Sequence, residues 1–205
     1  MKEILLRSKN LQQNMTLENL FSIICSNPEK VAARYLEGDT EKQITYREYA
    51  GHAKACAKYI HSVLPEEAEG KFVALQLDTC PDWFSVFWGI IQSGHQALLL
   101  DLALNDEMTA YLLEQAGAVA VIGKAKRNLP GRYTQITLAE LAAAPAAPSF
   151  RHAYGTMVAL CTSGTTSTSR IFVYNETAIC NQVLNSELLY RSNKRIINDK
   201  PNRNL

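Results

Sequence analysis

Apolar residues in this chain gather into short, nearly continuous runs separated by helical patterns. "KFVALQL", "QALLL" and "AVAVI" are each of strand length and show no clean polar–apolar alternation. Between the first two lies "WFSVFWGIIQ", apolar nearly all round, with Asp82 placed to cap it. Between the second and third lies "DEMTAYLLEQA", with Asn105 placed to open it and Gly117 suited to its left-handed C-terminal position. A strand that is apolar at successive positions is buried on both faces, so the order strand, helix, strand, helix, strand predicts an α/β fold. Its sheet is mostly parallel, with helices on both faces.

The flanks add elements of other kinds. "MTLENLFSIICSNP" predicts a short helix capped by Thr16, with Leu17, Leu20, Phe21 and Ile24 on one face and Pro28 beyond its end. "VAARYL" and "KQITY" flank the turn "EGDTE" and read as a hairpin. Thr45 and Glu48 have capping-box spacing, opening a helix over 46–63 with Tyr49, Ala53, Ala57 and Ile60 inward. "LAELAAAPAAPS" reads as a short helix and a Pro/Ala connector. "TMVALC" and "RIFVY" are two further strands. Asn175 or Thr177 can then cap a last helix reaching about Tyr190, with Ile179, Val183 and Leu184 inward and Leu188 a turn later. The tail after position 190 has five basic residues, one acidic residue and little to bury, the composition of a disordered segment.

Charge excludes one class of partner. Lys plus Arg is 21 and Asp plus Glu is 20 in 205 residues, a net charge of +1. This gives no electrostatic basis for nucleic acid or an acidic membrane as the main partner. The first ten residues lack a secretory h-region, and "WFSVFWGIIQSG" is too short and too interrupted for a membrane span. Five widely spaced cysteines, Cys25, Cys56, Cys80, Cys161 and Cys180, fit free thiols in a reducing cytoplasm. His52, His61, His95 and His152 show no metal-ligand spacing.

Between the last two strands stands "CTSGTTSTSR", Cys161 to Arg170, where nine of ten residues are small or hydroxylated and the tenth is a cation. A flexible link is the plain reading of such a run. Its short length, its anchoring between two apolar strands and the guanidinium at its exit point instead to a loop that holds phosphate oxygens. The common phosphate loop G-x-x-x-x-G-K-[ST] is absent, because Ser169 stands at its second glycine. Ser163 lies in "TSGTT", not in a G-x-S-x-G elbow.

The stretch resembles the phosphate-loop signature of the AMP-forming adenylating superfamily, which includes acyl-CoA synthetases, luciferases and peptide-synthetase adenylation domains. Against that pattern, approximately T-S-G-T-T-G-x-P-K-G, Thr162, Ser163, Gly164, Thr165 and Thr166 match. Ser167 replaces the second Gly, Ser169 the Pro, Arg170 the Lys and Ile171 the third Gly. Upstream, "ITYREYA", "KFVALQLDTCPDWFSVFWGIIQSG" and "HQALLLDLALNDEMTAYLLEQAGAVAVI" are similar to family segments, so the likeness spans about Leu17 to Tyr190. It implies an N-terminal adenylating subdomain over 1–190 with a tail over 191–205. It also implies a loop of Thr162, Ser163, Gly164, Thr165, Thr166, Ser167 and Arg170 that grips ATP phosphates, with Mg²⁺ and a carboxylic acid as further reactants and coenzyme A as a possible acceptor.

The family's later motifs, for metal, ribose, acyl pocket and catalytic lysine, are not found in these 205 residues, and no catalytic residue is assigned. The chain reads as the N-terminal portion of an ATP-dependent acyl-CoA synthetase-like enzyme, truncated in the gene or in the expressed chain. The alternative is a non-catalytic remnant that binds a partner or self-associates as a homodimer through an apolar face at 157–190.

Overall fold

The computed structural model describes residues 16–143, 153–161 and 170–186. Helix α1 (Leu17–Ile24) is capped by Thr16, whose hydroxyl accepts from the Asn19 N–H at 3.1 Å. A two-stranded antiparallel ribbon follows, β1 (Val31–Glu37) and β2 (Thr40–Thr45), with Gly38 at φ 61° in the turn. The capping box holds: Glu48 accepts from the Thr45 N–H at 2.7 Å, and α2 (Tyr46–Val63) buries Tyr49, Ala53, Cys56, Ala57 and Ile60.

The alternation then unfolds as β3 (Phe72–Gln76), α3 (Pro81–Gln92), β4 (Gln96–Leu99), α4 (Asp106–Ala116) and β5 (Ala118–Gly123). After it come β6 (Thr134–Thr137), α5 (Leu138–Ala143), β7 (Met157–Cys161), β8 (Ile171–Asn175) and a helix, α6, over 176–186. The six strands β3–β8 form one sheet in the order β6-β5-β3-β4-β7-β8. All neighbours are parallel except β7 and β8.

One face of the sheet packs on α1, α2 and α3 through Leu17, Phe21, Ile60, Val73, Leu75, Trp88, Ile91 and Ile122. The other packs on α4 through Ala74, Leu98, Leu112, Leu113 and Val121. The expected α/β fold, a mostly parallel sheet with helices on both faces, is present. Trp83, Phe84, Phe87 and Trp88 pack against one another and against Phe21 and Tyr49, so they are core. Gly89 lets α2 and α3 approach closely, since a Cβ there would lie 2.4 Å from the Cys56 Cβ.

Two sequence expectations need correction, and one strand was not read from the sequence. Asp82 does not cap α3. The helix starts earlier, with Cys80 as its N-cap residue and Pro81, whose ring presets φ, in its first position. Strand β6 had no apolar run to announce it: in "TQIT" only Ile136 is buried. Val183 points outward, 42% exposed, while Cys180 and Leu184 carry the buried face of α6. Asn175 is the cap of that helix, accepting from the Ala178 N–H at 2.9 Å. Leu188 and the tail after 190 lie outside the described residues. The cysteines are free thiols, with Cys56 and Cys180 buried and the other three partly so.

Candidate phosphate-binding edge of the sheet

The sheet's topology creates places for ligands before any side chain is considered. From β4 the chain passes through α4 to β5, on the far side of β3. From β7 it turns outward to β8. Neighbouring strands whose onward connections diverge leave a crevice at their carboxyl ends, the usual ligand position in open α/β sheets. The pair β4/β7 has this property, and so does β3/β5.

The hydroxyl-rich stretch leaves the sheet at the end of β7, beside the β4/β7 crevice, and re-enters it at the start of β8, on the other side of β7. Cys161 is paired with Ile171 across the antiparallel β7/β8 register, so residues 162–170 bridge two adjacent strand ends at the carboxyl edge. Thr162, Ser163, Gly164, Thr165, Thr166 and Ser167 lie outside the described residues. Arg170 is described: it is exposed at the mouth of β8, and it makes no ion pair among the described residues. Cys161 is half-buried, and burial pushes its thiol above the ordinary value, so it stays protonated beside the loop.

Two features missed in the sequence set this edge. Gln96 Oε1 accepts from the N–H groups of Thr156 (2.9 Å) and Met157 (2.6 Å), pinning the start of β7 to that of β4. Gly155 runs so close to β4 that a Cβ there would lie 1.8 Å from the His95 carbonyl oxygen. Both residues lock β7 in register at the amino edge, and that register sets Cys161, after which the stretch begins, at the carboxyl edge. The only sequence cue was a glutamine opening an otherwise apolar, buried strand.

Asp101 follows β4 as a turn residue: its carboxylate accepts from the Ala103 N–H at 2.9 Å, and its carbonyl accepts from Gln76 Nε2 at 2.9 Å. Glu176 sits at the start of α6, and its carboxylate accepts the Leu17 N–H at 3.0 Å, so it serves the N-terminus of α1.

At the β3/β5 crevice a cavity of 190 Å³ is lined by Gln76, Gly123, Lys124, Lys126, Arg127 and Gln135 among others. Gln76 is 2% exposed, and its Oε1 has no hydrogen-bond partner among the described residues. Arg127 is committed to structure, donating to Asp106 at 2.7 Å and to the Leu104 carbonyl at 2.6 Å. That pairing holds the Asp106 carboxyl below its usual range. Lys126 pairs with Glu140 at 3.0 Å. Four strand spacings, about 19 Å, separate β5 from β8, so one phosphate group cannot meet both Lys124 and Arg170. Among the described residues no three His, Cys, Asp or Glu side chains converge as metal ligands.

The comparisons agree with this architecture. A family model described as AMP-binding enzyme matches residues 24–199. The N-terminal subdomain of Klebsiella oxytoca NpsA superposes with a TM-score of 0.64 at 21% identity, covering 78% of this chain and 42% of that one. The same subdomain in complex with 3-hydroxybenzoyl-AMSN gives 0.65 at 20% identity, covering 78% and 41%. The nonribosomal peptide synthetase FmoA3 in its AMPPNP-bound form gives 0.64 at 21% identity, covering 82% and 18%. The chain thus spans less than half the length of these solved structures, and the likeness to them is one of fold. No curated protein matches the sequence.

Proposed function

The chain belongs to the family of AMP-binding enzymes, and on that premise we propose that it carries the ATP-phosphate-binding part of a carboxylate-adenylating, acyl-CoA synthetase-like site. Thr162, Ser163, Gly164, Thr165, Thr166 and Ser167 supply backbone N–H and hydroxyl donors to the phosphates, and Arg170 supplies the cation. The observation that supports this reading is the register Cys161↔Ile171, which sets both ends of the hydroxyl-rich stretch at the carboxyl edge beside the β4/β7 crevice. The role is positioning and charge stabilisation, since Cys161 is held as the neutral thiol and no described group is poised as a nucleophile. The carboxylate substrate, Mg²⁺ and coenzyme A belong to the whole reaction in this family. The described residues offer no metal-ligand set, so no step here is assigned to Mg²⁺. The setting is proposed to be cytoplasmic.

The test is an equilibrium titration of the folded chain with ATP. Arg170→Ala is expected to raise the dissociation constant about tenfold or more, the loss of one charge-assisted contact. Unchanged affinity in this variant would remove Arg170 from the site. No saturable binding by the unaltered chain would overturn the reading.

A second reading is favoured by a different observation. The outer end of the sheet exposes Leu160, Phe172, Val173 and Tyr174. A non-catalytic role through self-association as a homodimer on this face is compatible with retained nucleotide binding.

A further inference from the structure

Strand β8 is the last strand of the sheet, and no strand among the described residues pairs with its outer edge. Which of its backbone groups are free follows from one hydrogen bond. The Glu176 N–H donates to the Thr156 carbonyl at 2.7 Å, so Glu176 faces β7. Alternate residues of an antiparallel strand point the same way. Tyr174 and Phe172 therefore spend their backbone groups on β7, while Ile171, Val173 and Asn175 aim theirs outward. Edges in native sheets are usually blunted by Lys, Pro or a bulge. Here 171–175 contain no charge, no proline and no register shift. Phe172 is 45% exposed, Val173 52% and Tyr174 43%.

We propose that this edge pairs with β8 of a second copy of the chain, antiparallel and about a two-fold axis at Val173, extending the sheet across the dimer. The inference rests on the self-association reading above; its backbone and aromatic pairing does not require ATP binding, and it shares Arg170 with the proposed phosphate site. What carries it is the self-complementarity of "RIFVYNE" about its central residue. In that register Val173 faces Val173 of the second copy and exchanges both outward hydrogen bonds with it. Phe172 faces Tyr174 of the second copy, twice, as close non-hydrogen-bonded pairs, the positions where aromatic side chains contribute most across strands. Exposed Arg170 then falls opposite half-buried Glu176 of the second copy, also twice, where the carboxylate that accepts from the Leu17 N–H keeps a second oxygen to accept from the guanidinium. A shift by two residues loses both charge pairs and leaves one aromatic pair, Phe172 with Phe172 or Tyr174 with Tyr174, in place of two. A heterologous strand would have to supply this same pattern, while a second copy supplies it by symmetry.

The test uses the whole chain in sedimentation or light scattering across a dilution series, with residue-resolved amide exchange. The unaltered chain is expected to fall from twice 22.8 kDa to 22.8 kDa on dilution. The amides of Ile171, Val173 and Asn175 are expected to exchange slowly only in the dimer, and those of Phe172 and Tyr174 slowly throughout. Val173→Lys is expected to stay monomeric with an unchanged fold. Arg170→Glu places like charges opposite each other twice and is expected to weaken the dimer on the order of tenfold. It also carries the test if the strand variant folds poorly.

A dimer whose stability is indifferent to both substitutions overturns the edge pairing and leaves self-association standing. A monomer at high micromolar concentration overturns both. A monomer with slow exchange at Ile171, Val173 and Asn175 assigns the edge to another segment of the same chain and likewise overturns the proposal.

Discussion

Strands β3 and β8 have the same length and nearly the same apolar content, "FVALQ" against "IFVYN", yet they meet opposite fates. β3 lies between β4 and β5, with helices on both faces, and its Leu75 is 1% exposed. β8 ends the sheet, and most of its side chains are exposed. An apolar run states that a strand can be buried on both faces, while topology decides whether it is. In β3 the apolar atoms are already used in the core of the single chain. In β8 they remain available to something else.

The largest contrast is between substitutions in the two strands. Leu75→Ala removes a side chain packed on all sides and is expected to cost about 2–5 kcal/mol. Phe172→Ser is expected to cost less, about 1–2 kcal/mol, because only about half of the side chain is covered, when measured by urea unfolding at a concentration where the chain is monomeric. Equal losses would show that β8 is as well covered as β3 and would erase the distinction.

Gly155→Ala probes the junction between the two regions. The added Cβ would lie 1.8 Å from the His95 carbonyl oxygen, a backbone atom that no rotamer change can move. The expected loss is about 3 kcal/mol, near the top of the usual range for overpacking. Because Gly155 and Gln96 together set the register of β7, the same variant is expected to weaken ATP binding if the loop depends on that register. Full stability and full ATP affinity in Gly155→Ala would dissociate the lock from the site.

The parts of the fold legible from sequence were those where local and long-range signals agree. Asn105 and Gly117 bracket α4, and Thr45 with Glu48 opens α2, because caps and left-handed ends are set within a few residues. β6 escaped because an edge strand with one buried residue needs no apolar run, only an open neighbour in β5. Asp82 misled because Pro81 fixes the helix start by its own φ. For the candidate site, whose role is the one proposed above, the residue types of "TSGTT" and Arg170 were readable as ones that suit phosphate oxygens. The devices that aim it were not: Gln96 and Gly155 act through β4, some 60 residues away from β7, and no local pattern encodes such a contact. Gln76 was equally silent, its role depending on Asp101 and Thr109 brought in from the next strand and helix.

The smallest expected effect compares the sheet's two ends. β6, at the opposite edge from β8, is finished by polar groups instead of apolar ones. The Glu140 carboxylate accepts from the Thr137 N–H at 2.7 Å and from its hydroxyl at 3.0 Å, and it also pairs with Lys126 at 3.0 Å. The Thr137 backbone bond, then Lys126 and the Thr137 hydroxyl, hold this carboxyl down at about 2, from an ordinary 4.5. In the unfolded chain the group takes up a proton as pH falls below 4.5, while the folded chain resists until about 2. Its contribution to stability is therefore fully present above 4.5 and is lost as pH falls from there through 2. Glu140→Gln is expected to be less stable than the unaltered chain at neutral pH by a small, salt-sensitive margin, because the site is open to solvent. That margin should close as the pH is lowered from 4.5 toward 2, with urea midpoints of the two proteins converging. Phe172→Ser should show no such pH dependence, since nothing at that position titrates. A margin for Glu140→Gln that persists unchanged into acid would mean that Glu140 holds β6 and α5 by packing rather than by charge. The two edges of the sheet would then differ less than their hydrogen bonds indicate.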